Sequence, residues 1–265
     1  MTSPASDLFA TAAPYYARFR PRYPDELFEF LAARLGLDGG QLALDVGCGT
    51  GQASIPLARH VSRVIALDPV PEMLELGREA AERAGVANIE WELGDSTLLG
   101  GLRTNLPGLV LFAASFHWTD RTVVTEVLDG VVPPGGALVV IGDGLGEAAQ
   151  PDWVHLIARI RSRYLGPDRR AANGVYLAPA HSHLEVLQTS PFSAVEEVTW
   201  RWSRELTVDE VVGLQFSYSF STPALFGADA RAFADEVRAG VLAAYPSGIV
   251  TEPLVVQVLI ARRPA

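Results

Sequence analysis

A chain of 265 residues, 49% apolar and 20% charged, carries enough material for one sizeable core and lies near the upper limit for one domain. Its formal net charge of −10 argues against a phosphate-tracking surface, since nucleic-acid binding draws on clustered cationic side chains, so no nucleic-acid partner is expected. The single cysteine, Cys48, excludes an intramolecular disulfide and a thiolate zinc cluster, and without an apolar run of 18 residues or a leader-like start the expectation is a cytoplasmic protein with no membrane partner.

Along the chain, glycine and proline punctuate short apolar runs that alternate with helical patterns, the mark of a parallel sheet with crossover helices. The first 36 residues form an N-terminal helical segment: Pro24 and Asp25 open a helix with Leu27, Phe28, Leu31 and Leu35 on one face and Gly36 placed to stop it. Strands are expected at Leu42–Val46, Val64–Asp68, Ile89–Gly94, Leu109–Ser115 and Ala137–Asp143. Residues 144–192 break that rhythm and hold an amphipathic helix with Trp153, Leu156, Ile157, Ile160 and Tyr164 at helical spacing, which reads as an inserted lid. Beyond it come a strand at Val195–Trp202, a capping box from Thr207 and Glu210 ahead of a helix, a further helix around Phe233, Val237 and Val241, and a last apolar strand, Leu254–Ala261. The whole chain, 1–265, is expected to be one domain.

The most informative stretch is Leu42-Ala43-Leu44-Asp45-Val46-Gly47-Cys48-Gly49-Thr50-Gly51-Gln52, an apolar strand running into a glycine-rich turn and a helix. Glycine lets the backbone turn sharply and approach a ligand closely, and a following helix offers N–H groups. A second carboxylate, Asp68, ends the next strand 23 residues after Asp45, where an acid accepts hydrogen bonds from the ribose of an adenosine. Those two features alone suit a dinucleotide or another adenosine cofactor.

Spacing separates the two. A pyrophosphate loop reads G-x-G-x-x-G, whereas these glycines fall at 47, 49 and 51 behind Asp45. The pattern resembles motif I of the class I S-adenosylmethionine methyltransferases, D/E-x-G-x-G-x-G. The resemblance implies a Rossmann-like, doubly wound, mostly parallel seven-stranded α/β sheet with an antiparallel C-terminal strand and an inserted helical lid. It also implies S-adenosyl-L-methionine as cofactor: Asp45 near the ammonium, the glycine backbone near the carboxylate and homocysteine chain, Asp68 on the ribose, and Asp95 with Ser96 at the adenine. Tyr16-Ala17-Arg18-Phe19-Arg20-Pro21-Arg22-Tyr23-Pro24 and Ser115-Phe116-His117-Trp118 are similar to small-molecule methyltransferases grouped with trans-aconitate methyltransferase. Gly108 departs from the Asp or Asn that the family often has at the head of strand four. The cofactor-binding set expected from these matches is Tyr16, Arg20, Asp45, Gly47, Cys48, Gly49, Gly51, Gln52, Asp68, Asp95, Ser96 and Ser115.

Methyl transfer from a sulfonium is an in-line displacement, so alignment and water exclusion matter most, with a base where the acceptor carries a proton. His117, at the carboxyl end of a core strand, either faces the substrate as that base or packs as a structural histidine beside Trp118. Tyr15, Tyr16 and Arg20 either close over the cleft or anchor the N-terminal segment. His181-Ser182-His183 has no second ligand cluster, so no metal is expected. Arg159, Arg161, Arg163, Arg169 and Arg170 form either a solvated helix face or an attraction for an anionic substrate. Ser217–Thr222 either lines a pocket or caps and packs. The expected function is methyl transfer to an O or N atom of a small molecule. A binder that keeps the cofactor without transferring methyl, and a nicotinamide-dependent oxidoreductase, are the alternatives.

Overall fold

The computed structural model describes residues 4–101, 107–143, 150–167, 170–171, 174–175 and 181–264. The chain divides into two compact units. The larger takes in 22–144, 179–200 and 256–265, and the smaller 1–21, 145–178 and 201–255.

The larger unit is a sheet covered on both faces. Its parallel strands are β1 (Leu42–Val46), β2 (Arg63–Asp68), β3 (Ile89–Leu93), β4 (Leu109–Ala113) and β5 (Ala137–Asp143). Two 14-residue strands follow, β8 (Ala194–Thr207) and β9 (Ile249–Arg262), after a two-residue pair, β6 (Arg170–Ala171) and β7 (Gly174–Val175). The sheet order is β3-β2-β1-β4-β5-β9-β8, with β9 antiparallel to β5 from Leu138↔Ala261 to Asp143↔Val256. This is the doubly wound, mostly parallel seven-stranded arrangement expected from sequence, and the order reverses beside β1, where ligands bind such sheets.

Burial on both sides explains why these strands read as continuous apolar runs. Leu109 and Leu111 of β4 pack on one face with Ala43, Val64, Val139 and Ile141, under Leu27, Phe28 and Leu31 of α2 (Asp25–Leu35). Val110 and Phe112 point the other way, with Leu44, Val46, Leu138 and Val140, toward Val124 and Leu128 of α5 (Arg121–Asp129). Gly36 closes α2 in the left-handed conformation, φ 65°. The single-turn α3 (Ser54–Leu57) and α4 (Pro71–Arg83) complete the crossovers. α7 (His183–Gln188) opens on a capping box between Ser182 and Glu185.

The smaller unit is helical. α1 (Pro4–Phe19) packs against α8 (Val208–Phe216), and α6 (Asp152–Leu165) against α10 (Ala230–Ala244), with α9 (Pro223–Phe226) between. Trp153, Ile157, Ile160, Phe216, Phe226, Phe233 and Val237 make its core. The amphipathic helix of the expected lid is therefore packed with helices from later in the chain. Residues 144–149, 168–169, 172–173 and 176–180 of that segment, Arg169 among them, lie outside the described residues.

Strand ends differ in detail. β4 stops at Ala113 rather than Ser115, because Ala114 takes a left-handed φ of 56° and turns the chain. β8 and β9 are several residues longer than expected, running through the polar residues Ser203–Glu205 and through Thr251–Pro253, where composition signals no strand.

Trp91 of β3 fills the space left by two missing Cβ atoms: a Cβ on Gly77 would lie 2.4 Å from its ring and one on Gly51 2.7 Å. Gly77→Ala gains about 1 kcal/mol of helix propensity but drives a methyl into a ring confined on both sides, at a cost of about 1–3 kcal/mol. Urea unfolding is expected to show Gly77→Ala less stable than wild type, and a more stable variant would mean Trp91 moves freely.

Candidate functional site

The site is built where β1, β2 and β4 end. Gly47, Gly49 and Gly51 all have positive φ, 70°, 55° and 81°, so each needs the freedom that only glycine has without cost. Gly47 also needs to be small: a Cβ there would stand 2.5 Å from the Ser115 Cβ. The Ser115 hydroxyl donates to the Val46 carbonyl at 2.5 Å, tying the end of β4 to the end of β1.

The loop's own amides are largely engaged. Gly47 and Cys48 both donate to the Leu67 carbonyl, Gly51 donates to that of Cys48, and Gly49 N donates to Asp68 Oδ2 at 2.8 Å. The other Asp68 oxygen accepts from Val70 N at 2.9 Å. Asp68 is thus a clamp on the loop, and each oxygen keeps a lone pair for a further donor. Burial raises its pKa, the two backbone hydrogen bonds opposing that rise. The expected run of open amides from loop to helix is reduced, since α3 is only four residues long.

Asp45 is fully buried. Oδ2 accepts a 2.5 Å hydrogen bond from Ser54, whereas Oδ1 is buried without a partner. Burial first, with the nearby Asp68 carboxylate adding to it and the Ser54 hydroxyl opposing it, raises the Asp45 pKa to about 7. Such a group lacks a cation, which the ammonium of an amino acid would supply. The residues present therefore fit a methionine-type ligand.

Cys48 is buried and its thiol pKa is pushed well up by burial. The Thr50 hydroxyl donates to Gln52 Oε1 at 3.0 Å. Asp95 Oδ1 accepts from both the amide and the hydroxyl of Thr97, which caps the 3-10 turn Ser96–Gly101. His117 sits in a 3-10 turn, Phe116–Trp118, two residues past Ser115, and its ring centroid is 5.0 Å from that of Trp118. Burial, aided by the positive charge of Arg121, lowers its pKa.

Tyr16 and Arg20 belong to the smaller unit, where the Arg20 guanidinium lies 5.1 Å from the Tyr16 ring centre and 4.1 Å from that of Tyr218. Arg161 lies over Phe220, and Arg163 pairs with Glu236. Ser217 and Ser221 donate to carbonyls of α8, the capping role among those considered for that stretch. No group of three or more His, Cys, Asp or Glu side chains suited to a metal ion occurs among the described residues. Sequence reasoning missed Ser54, Arg121 and His183 as neighbours of site residues.

A parallel sheet that reverses order at a glycine-rich strand end, followed by a clamped acid on the next strand, defines the adenosine-cofactor class of α/β proteins. The methyltransferase domain model matches residues 43–136, the stretch that carries β1 to β4 and the loop. The trans-aconitate 2-methyltransferase of Methylobacterium radiotolerans is 31% identical over 193 residues, 66% of this chain and 70% of that protein. An uncharacterised methyltransferase of Mycobacterium tuberculosis is 28% identical over 218 residues, 82% of this chain and 79% of its own length. Among solved structures, a methyltransferase assigned to an antibiotic biosynthesis pathway in Anabaena variabilis superposes with a TM-score of 0.64 at 16% identity, covering 93% of this chain and 99% of that one. The chain belongs to the class I S-adenosylmethionine-dependent methyltransferases. Its cofactor is S-adenosylmethionine and its activity methyl transfer. No helix of the described residues is long and apolar enough to cross a membrane.

Asp45 gives this site a stability signature. Its folded pKa of about 7 exceeds the ordinary 3.8, so between those values the folded state holds a proton that the unfolded state has lost. Stability is therefore lost as pH rises through the window, by about 1.4 kcal/mol per unit at most. Asp45→Asn keeps an acceptor for Ser54 and has no such slope. In urea titrations its stability relative to wild type is expected to be about 2–3 kcal/mol greater at pH 8 than at pH 5, and equal differences at both values would mean that Asp45 is ionised throughout.

Proposed function

We propose that the protein methylates an O or N atom of a small molecule, with His117 as general base for acceptors that carry a proton. The observation that carries this reading is the position of His117: two residues beyond Ser115, whose side chain fills the place of a Gly47 Cβ. S-adenosylmethionine, when bound, supplies a methyl group on a sulfonium sulfur. Gly47, Cys48, Gly49, Gly51 and Gln52 hold the amino-acid end by close backbone approach, with the orphaned Asp45 oxygen toward the ammonium. Asp68 takes the ribose hydroxyls on its remaining lone pairs, Asp95 and Ser96 take the adenine, and Ser115 fixes the loop against β4. For Tyr16 and Arg20 the cofactor role rests on sequence resemblance.

His117 then removes the acceptor's proton as attack proceeds. Burial favours the neutral imidazole, the form able to accept. A carboxylate acceptor, the kind suggested by the trans-aconitate enzyme, is already ionised and needs only to be oriented. An acidic surface supports a small-molecule acceptor over nucleic acid and is compatible with a cytoplasmic protein. Residues 144–192, where described, are proposed as a cover for the acceptor.

Two measurements test the reading. Asp68→Ala is expected to weaken S-adenosylmethionine binding in calorimetry by roughly 2–4 kcal/mol, from two lost charge-assisted hydrogen bonds with partial replacement by water. Unchanged affinity in a folded variant would remove the ribose role. With a hydroxyl or amino acceptor, His117→Ala is expected to lower kcat at least about tenfold with cofactor affinity nearly unchanged. The wild-type rate should fall on acidification only below the ordinary histidine range, because the imidazole's pKa is lowered. Matching pH profiles for the two proteins would leave His117 a packing residue.

A further inference from the structure

His183 and Arg121 come from segments that the proposed chemistry does not use, yet the His183 ring stacks beside that of His117 and the Arg121 charge acts on it. Arg121 is the first residue of α5, and its Nη1 lies 3.1 Å from His183 Nδ1 while donating to the His181 carbonyl at 2.9 Å. A guanidinium has donors and no acceptor, so Nδ1 of His183 must be the unprotonated nitrogen. In the neutral ring the proton then sits on Nε2. The ring so fixed lies 6.3 Å from His117, centroid to centroid, with the planes 21° apart, and 5.3 Å from Phe116 edge to face. Its Cδ2 rests against Gly142 of β5, 3.6 Å from where a Cβ would be. Three segments, α5, the 3-10 turn and β5, therefore bound one imidazole.

We propose that His183 is a positioning residue for His117: Arg121 locks the His183 ring, and that ring limits the rotamers and the water access of the His117 imidazole. The inference rests on reading His117 as the base. A base contributes fully only when its lone pair is held in line with the proton it takes, and a histidine on a half-exposed turn has no such restraint from its own backbone.

The charges around the pair agree. Burial, then the Arg121 charge, then the His117 ring lower the His183 pKa to about 4, so the fixed ring is neutral at neutral pH. From α5, Asp120 is occupied in capping Val123 N; from α7, Glu185 accepts from Ser182 and lies 4.0 Å from His181. Arg121 is the charge that acts on both rings.

Nitrogen-15 NMR of the full chain reads this without a substrate, with His117→Gln and His183→Gln assigning the rings. The expected result is an Nε2–H tautomer for His183 that stays unprotonated to about pH 5. Arg121→Gln should mix that tautomer and raise the His117 titration midpoint. His183→Ala should also raise the midpoint, and His183→Asn, which keeps an acceptor for Arg121, should move it less. With an acceptor found by screening hydroxyl and amino compounds for released S-adenosylhomocysteine, His183→Ala should lower kcat about tenfold, leave the cofactor KM within about twofold, and add nothing to His117→Ala. An Nδ1–H tautomer, a His117 midpoint that ignores both Arg121→Gln and His183→Ala, or additive losses in the double variant would each overturn the proposal. A wild-type rate for His117→Ala alone would sink the base reading, and the tautomer and titration would still decide whether His183 holds the ring.

Discussion

The site depends on one close approach, the Ser115 side chain standing where a Gly47 Cβ would be. It brings the ends of two neighbouring parallel strands into direct contact through residues far apart in sequence. Three features combine there: glycine at 47, a hydroxyl that reaches the Val46 carbonyl, and a left-handed Ala114 that turns the chain inward. The last has a conformational cost of about 1–2 kcal/mol, the kind of local strain that persists where surrounding structure fixes it. The buried hydrogen bond and the packing of Phe112 and Phe116 beside it hold that turn.

Two buried carboxylates then divide the electrostatic work. Asp68 is satisfied by backbone amides and shapes the loop whether or not ligand is present, while Asp45 has a single hydroxyl partner and an orphaned oxygen. The first is a structural anchor with capacity to spare, and the second is a group in want of a cation. A like charge on the neighbour makes that want greater, because the Asp68 carboxylate disfavours ionisation of Asp45. A cation placed at that oxygen would favour the ionised form of Asp45, and protonation would in turn weaken its hold on the cation.

Local chemistry made the strand-loop-strand unit legible. The apolar run 42–46, the three glycines and the acids at 45 and 68 carry their meaning in spacing, and the capping box at Thr207 and Glu210 announced α8 in the same way. Nothing local marks Ala114 as left-handed, since alanine has no preference for that region. The extended ends of β8 and β9 were equally silent, because partnered backbone rather than composition sustains them through polar residues. His183 was hidden differently. Ser182 and Glu185 hold the same kind of capping box, S-x-x-E, as the T-x-x-E that identified α8, and it would have placed His183 at the start of a helix; but its partner Arg121 lies 62 residues away, a pairing no spacing rule reveals.

The discontinuity of the smaller unit governs the order in which the molecule can be made. Its pieces lie at 1–21, 145–178 and 201–255, so α1 leaves the ribosome long before α8, against which it packs, exists. The sheet is open for as long, because β9, the last strand in chain order, stands between β5 and β8 and neither can pair fully without it. Up to that moment β5 exposes an unpaired edge of Ala137–Asp143, a stretch of high β-propensity. Such a chain cannot complete its fold stepwise during synthesis. The nascent protein waits with an adhesive edge, and the closing event is the arrival of Val256–Ala261.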